Sequence, residues 1–224
     1  MSLQMLGVSR NGDVARLPAA RDQESEFRWV VEGPLAAAIV ESPPESFGPL
    51  QQARLLAAIH QHVAIRPLRY GTVLPQEQAV CDFLRRRATN LLHDLVRIEG
   101  TGEIGLRVEL LGPATSACQA GPGGNHLPAL SPQQYLAQRR QRYEWKDQLD
   151  HQAEKVTENV VQAVYGLYRQ WRLLSSTVPT TIRLAFLVPQ NHWEAFCTRL
   201  ERIECNEACQ RYTRLGPWPP YSFV

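Results

Sequence analysis

Two arginines flank a proline in Arg66-Pro67-Leu68-Arg69, followed by Tyr70-Gly71-Thr72. Guanidinium groups placed this closely could grip a carboxylate or phosphate through paired N–H donors. The simpler reading, which we take, is that each pairs with an acidic residue of a packed helix. His60-Gln61-His62 invites a metal ion. Residues two apart align on a strand but diverge on a helix. This stretch reads as a helix end, where histidine suits the final carbonyls. His93-Asp94 and Asp150-His151 are sequence neighbours, which is poor geometry for an acid–base pair on one helix. The five cysteines (Cys81, Cys118, Cys197, Cys205, Cys209) contain no C-x-x-C pair. Cys205 and Cys209, with Cys197 and His192, are the nearest approach to a zinc site. Small buried thiols in a reducing compartment are the expectation instead. No phosphate-cradling G-x-x-x-x-G-K-[ST], no G-x-G-x-x-G and no G-x-S-x-G elbow occurs. We therefore expect no catalytic residue, no metal and no cofactor.

Side chains suited to binding are easier to find. The chain ends Gly216-Pro217-Trp218-Pro219-Pro220-Tyr221-Ser222-Phe223-Val224, with three prolines and three aromatics. Rings and locked φ angles cost little entropy to order and offer apolar area to bury. The tail should dock, either as a final edge strand on its own sheet or as a hook for a partner. Tyr143 and Trp145 lie where little else is apolar, among Arg139, Arg140, Arg142, Glu144, Lys146 and Asp147. They are either a cap on a neighbouring domain or interface anchors. The candidate partner-binding residues are thus Arg66, Arg69, Tyr70, Tyr143, Trp145, Trp218, Tyr221 and Phe223.

The elements that must hold these residues follow from periodicity. Phe27–Glu32 and Leu35–Val40 are apolar runs around Gly33-Pro34 and predict a hairpin. After Pro49, the residues Leu50, Ala53, Leu56, Ala57, Ile59 and Val63 keep helical spacing. Pro67–Val73 reads as a strand. From Pro75 to about Ile98, Val80, Leu84, Ala88, Leu91, Leu95 and Ile98 form one helical stripe. Ile104, Leu106, Val108 and Leu110 alternate with Glu103, Gly105, Arg107 and Glu109, predicting a strand with one wet face. A Gly/Pro-rich stretch at 112–131 separates an N-terminal domain (1–111) from a C-terminal one (132–224). A long helix is expected from Pro132 to Leu174, with a near-heptad seam through Leu149, Ala153, Val156, Val160, Val164, Leu167, Trp171 and Leu174. A strand (Ile182, Leu184, Phe186, Val188) and a helix (Trp193, Phe196, Leu200, Ile203) follow, then a strand from Gln210 into the tail. Each half reads as α+β, with helices on one face of a small, mostly antiparallel sheet.

Composition is that of an ordinary folded protein: 44% hydrophobic and 21% charged residues. With 24 basic and 22 acidic side chains, the net charge of +2 gives no broad footprint for nucleic acid or an anionic membrane. No apolar run is long enough to span a bilayer, and no signal segment opens the chain. We expect a cytoplasmic protein.

Five short segments resemble one known family. The tail is similar to the closing signature of the gas vesicle accessory proteins GvpF and GvpL. Arg66-Pro67-Leu68-Arg69-Tyr70-Gly71-Thr72-Val73 resembles the family's "lPlrFGTv". Glu103-Ile104-Gly105-Leu106-Arg107-Val108 resembles "EwGvKv", with Ile104 in place of Trp and Arg107 in place of Lys. Tyr135-Leu136-Ala137-Gln138-Arg139-Arg140 resembles "YLxxrr", and Leu184-Ala185-Phe186-Leu187-Val188 resembles "lafLV". The five lie in order across residues 30 to 224. Around Leu6-Gly7-Val8 the family has a Tyr-rich first strand, and here the tyrosines are missing. The resemblance implies two α+β domains, ferredoxin-like in at least one. It also implies a minor vesicle component that contacts the hydrophobic shell subunit, and other accessory proteins, during nucleation. Two readings compete with it. One is an anion-binding enzyme on a ferredoxin-like scaffold using Arg66 and Arg69. The other is an RNA-binding sheet, which a strand lacking aromatics and carrying Glu103 and Glu109 does not favour.

Overall fold

The computed structural model describes residues 2–15, 27–41, 47–110, 132–206 and 210–224. The expected linker at 112–131 lies outside them, as do Cys118 and Cys209. The chain packs as two compact units. The first comprises Met1–Ile104, Phe186–Asn191 and Leu215–Val224; the second comprises Gly105–Ala185 and His192–Arg214.

The first unit is built on β1 (Leu3–Arg10), the short α1 (Asn11–Val14), β2 (Arg28–Glu32), β3 (Leu35–Glu41), α2 (Pro49–His60), β4 (Arg66–Pro67), β5 (Val73–Leu74) and α3 (Glu77–Ile98). The sheet order is β2-β3-β1-β4, with β5 also pairing β1. The hairpin is as expected, with Glu32 opposite Leu35 across Gly33-Pro34. The strand expected over Pro67–Val73 is instead two short strands, β4 and β5. Between them Thr72 donates to the Arg69 carbonyl through both its N–H and its Oγ1.

β1 sits at the centre of the sheet and is buried from Leu3 to Ser9. Its register slips between Met5 and Gly7: Met5 faces Ile39 while Gly7 faces Ala38, so Leu6 is the extra residue of a bulge. The slip changes which face each side chain takes. Leu3, Met5 and Val8 join one core with α3, while Leu6 joins the other with α2. Leu35, Ala37 and Ile39 of β3 face the α3 core, and Ala38 and Val40 the α2 core. The sheet is thus covered on both faces, not on one as the pattern suggested. That double burial explains the unbroken apolar run of β3.

Pro49 opens α2 at its first turn, as expected. Leu50, however, is 78% exposed, and Gln52 is buried in its stead. Gln52 accepts from Gln4 Nε2 at 2.8 Å and donates to the Leu68 carbonyl at 2.9 Å, so the buried amides satisfy each other. The α3 stripe of Val80, Leu84, Leu91, Leu95 and Ile98 is buried as the spacing required. Glu77 in its first turn and Arg97 in its last suit the helix dipole.

The remaining elements are β6 (Thr101–Leu110), α4 (Pro132–Ala163), β7 (Gln170–Leu174), β8 (Thr181–Pro189), α5 (Trp193–Asn206) and β9 (Gln210–Trp218). The second sheet has the order β7-β8-β6-β9. In both halves the last, first, third and second strands lie side by side in that order, with β-α-β-β-α-β connectivity. This is the ferredoxin-like arrangement. The long helix is shorter than expected. It stops at Ala163, and Trp171 and Leu174 belong to strand β7. Gly166, at φ 82°, follows its last turn, and Arg199 Nη1 donates to the Ala163 and Tyr165 carbonyls at 3.3 and 3.2 Å. Leu149, Val156 and Val160 of the expected seam are buried in α4, and Phe196 and Leu200 in α5.

Candidate interaction surface

Arg66 leaves β4 beside α3 and donates through Nε to Asp94 Oδ2 at 2.8 Å. Asp94 Oδ1 also accepts from Arg97 Nη2 at 2.9 Å. Arg66 is therefore held in an internal network that no local motif announced. Arg69 is exposed on the turn before β5, and its side chain makes no ion pair among the described residues. Tyr70 is 47% exposed, with its hydroxyl donating to the Phe47 carbonyl at 2.7 Å. The two arginines are near in sequence but do not converge on a shared partner.

The tail closes the chain against the first unit. β9 runs to Trp218 at the edge of its sheet, and Tyr221–Phe223 form a single 3-10 turn. Pro219 and Pro220 are buried, and Phe223 is fully so. The buried carboxylate of Glu103 accepts from Ser222 N at 2.7 Å and from Ser222 Oγ at 2.6 Å. Arg97 donates to the Phe223 carbonyl, and Val224 packs on the α3 core. Trp218 and Tyr221 remain outside, 45% and 39% exposed. The Tyr221 hydroxyl is pushed up to about 12, chiefly by burial and secondarily by the Glu103 carboxylate. Glu103 shows why alternation misled: it belongs by period to the wet face, but the returning tail covers it.

Tyr143 and Trp145 lie on the charged half of α4, 55% and 38% exposed. The Arg139 guanidinium stacks 5.8 Å from the Tyr143 ring and donates to its hydroxyl at 3.3 Å. Leu136, two turns before Tyr143 on the same helical face, is 62% exposed.

A polar cleft of about 390 Å³ opens at the end of α2, among Asp13, His60, His62, Glu99, Thr101 and Gln190. His60 is only 8% exposed, and neither ring nitrogen has a well-formed hydrogen bond. Burial lowers its pKa, and the nearby Thr101 backbone only partly offsets this. Among the described residues no three metal-ligating side chains cluster, and no helix is long and apolar enough to cross a membrane. Cys81 and Cys197 are half-buried free thiols.

Two ferredoxin-ordered sheets, a long helix and a tail folded back on the chain define an α+β protein with exposed aromatics and no assembled reactive centre among the described residues. Residues 7–224 match the family described as gas vesicle synthesis protein GvpL/GvpF, and the chain belongs to that family. Crystal structures of two gas vesicle proteins GvpF share the fold. The one from Anabaena sp. PCC7120 is 17% identical, with 99% of this chain and 95% of that chain covered and a TM-score of 0.75. The one from Microcystis aeruginosa is 13% identical, with 99% and 98% covered and a TM-score of 0.74. No curated protein matches the sequence.

Proposed function

We propose that this chain is a non-catalytic helper in building gas vesicles. It binds the small hydrophobic shell subunit before or during nucleation and keeps it from aggregating. It stays in the cytoplasm, associated with the vesicle as a minor component alongside other accessory proteins. A subunit that separates gas from water carries a face that self-associates when exposed. The observation that carries the reading is the match to a gas vesicle synthesis family over residues 7–224. The exposed rings of Tyr70, Tyr143, Trp145, Trp218 and Tyr221 supply anchors of the kind that dominate interface energies. An anion-binding enzyme using Arg66 and Arg69 is a weaker reading, because Asp94 already occupies Arg66. Neither nucleic acid nor membrane is part of the proposal.

Co-expression with a vesicle shell subunit tests it. The subunit should appear in the soluble fraction and co-purify with this chain. Shell subunit that stays equally insoluble with and without the chain would overturn the reading.

A further inference from the structure

Gln4, Gln52 and Glu103 are buried in the first unit, and each is satisfied by a hydrogen-bond partner. His60 is not. It is as buried as Glu103, yet neither ring nitrogen has a well-formed hydrogen bond. The Thr101 backbone beside the ring favours the imidazolium without offsetting the burial. The ring also sits where the helix is weakest, on the last residue of α2. Beyond it Gln61 N donates to the Ala57 carbonyl at 3.3 Å, while His62 N and Val63 N share the Ile59 carbonyl at 3.0 and 3.1 Å.

This turn forms one wall of the cleft of about 390 Å³, which has ample room for an imidazole. The titratable groups that line the cleft are Asp13 of α1, His62 just past α2, and Glu99 between α3 and β6. Arg10 of β1 pairs with Glu99 at 3.1 Å. The Asp13 carboxylate makes no ion pair among the described residues. β6 and the segment after β8 add the uncharged Thr101 and Gln190. A charged imidazole is therefore penalised in its buried site and favoured in the cleft, where water and carboxylates meet it. α3 packs on the opposite face of the sheet, in a core that does not include α2.

We propose that His60 is an acid-operated latch on the last turn of α2. With the ring neutral it stays inside and the turn is closed. Once protonated it moves into the cleft beside Asp13 and Glu99, and the turn through 59–63 opens while α3 stays folded. The latch goes beyond the assembly reading and is independent of it.

Amide hydrogen exchange on the full chain tests it, with rates corrected for the pH dependence of the chemical step. From about pH 7.5 to about pH 5, protection at 61–63 should fall at least about fivefold, and that of α3 should hold. His60→Gln, neutral at both pH values, should abolish the change, and His62→Gln should leave it intact. Protection at 61–63 that survives at acid pH, or that is lost together with that of α3, overturns the latch. So does a loss that persists in His60→Gln or vanishes in His62→Gln. Should His60→Gln fail to fold, Asp13→Asn decides on the same readout. It should move the opening to a pH lower by at least about 0.5, and an unmoved opening overturns the proposal.

Discussion

His60 is the residue whose burial should be felt most directly in solution. Its pKa starts near 6.5 in the unfolded chain and is lower in the folded one, because burial penalises the imidazolium. The unfolded chain therefore binds the proton first. Stability is complete above about pH 6.5 and drains away as the pH falls toward the folded pKa. Urea unfolding at about pH 7.5 and about pH 5.5 should give a lower midpoint at the acid value, and His60→Gln should remove part of that difference. Tyr221 carries the opposite sign. Its hydroxyl, pushed up to about 12, favours the folded state below pH 10 and loses that advantage as the pH rises from 10 toward 12. An absorbance titration should lose its latest-ionising tyrosine in Tyr221→Phe. Glu103 holds the tail by two hydrogen bonds from Ser222. Glu103→Ala should cost about 1–3 kcal/mol in urea unfolding, since it removes the carboxylate that accepts both hydrogen bonds from the half-buried Ser222. The internal pairing of Arg66 was the expected outcome from sequence. Its partner Asp94, lying 28 positions away, was not legible, because no local pattern links a strand to a distant helix.

At the level of elements, periodicity succeeded where one face of one element meets one core. The α3 stripe, the β2–β3 hairpin and the inward residues of β6 are of this kind. It failed where two neighbours compete. The apolar spacing through Trp171 fits a helix, but Gly166 and the carbonyl contacts from Arg199 end α4 first, and the same residues then serve a strand. The β1 bulge is a second case. A Cβ on Gly7 would sit 2.8 Å from the Arg66 carbonyl and 2.9 Å from the Ile65 side chain. Gly7→Ala should therefore cost at least about 2 kcal/mol in urea unfolding. A smaller loss would mean that β4 can move aside and that the bulge is not pinned.

For the molecule as a whole, the tail and the exposed rings point in different directions. Phe223, Pro219 and Pro220 serve the protein's own interior, whereas Trp218 and Tyr221 face outward. Removing residues 216–224 should lower the soluble yield of the chain itself, as read from the soluble fraction after expression. If the truncated chain stays equally soluble but no longer captures shell subunit, the tail is a hook for a partner. The amino-acid sequence alone determined the α+β class, the family and most helices and strands, because these depend on near-neighbour spacing and short motifs. The covering of the first sheet on both faces and the burial of Glu103 were decided only by the tertiary structure. Each depends on which distant segment returns to lie against a given face, and a chain's local pattern carries no record of that.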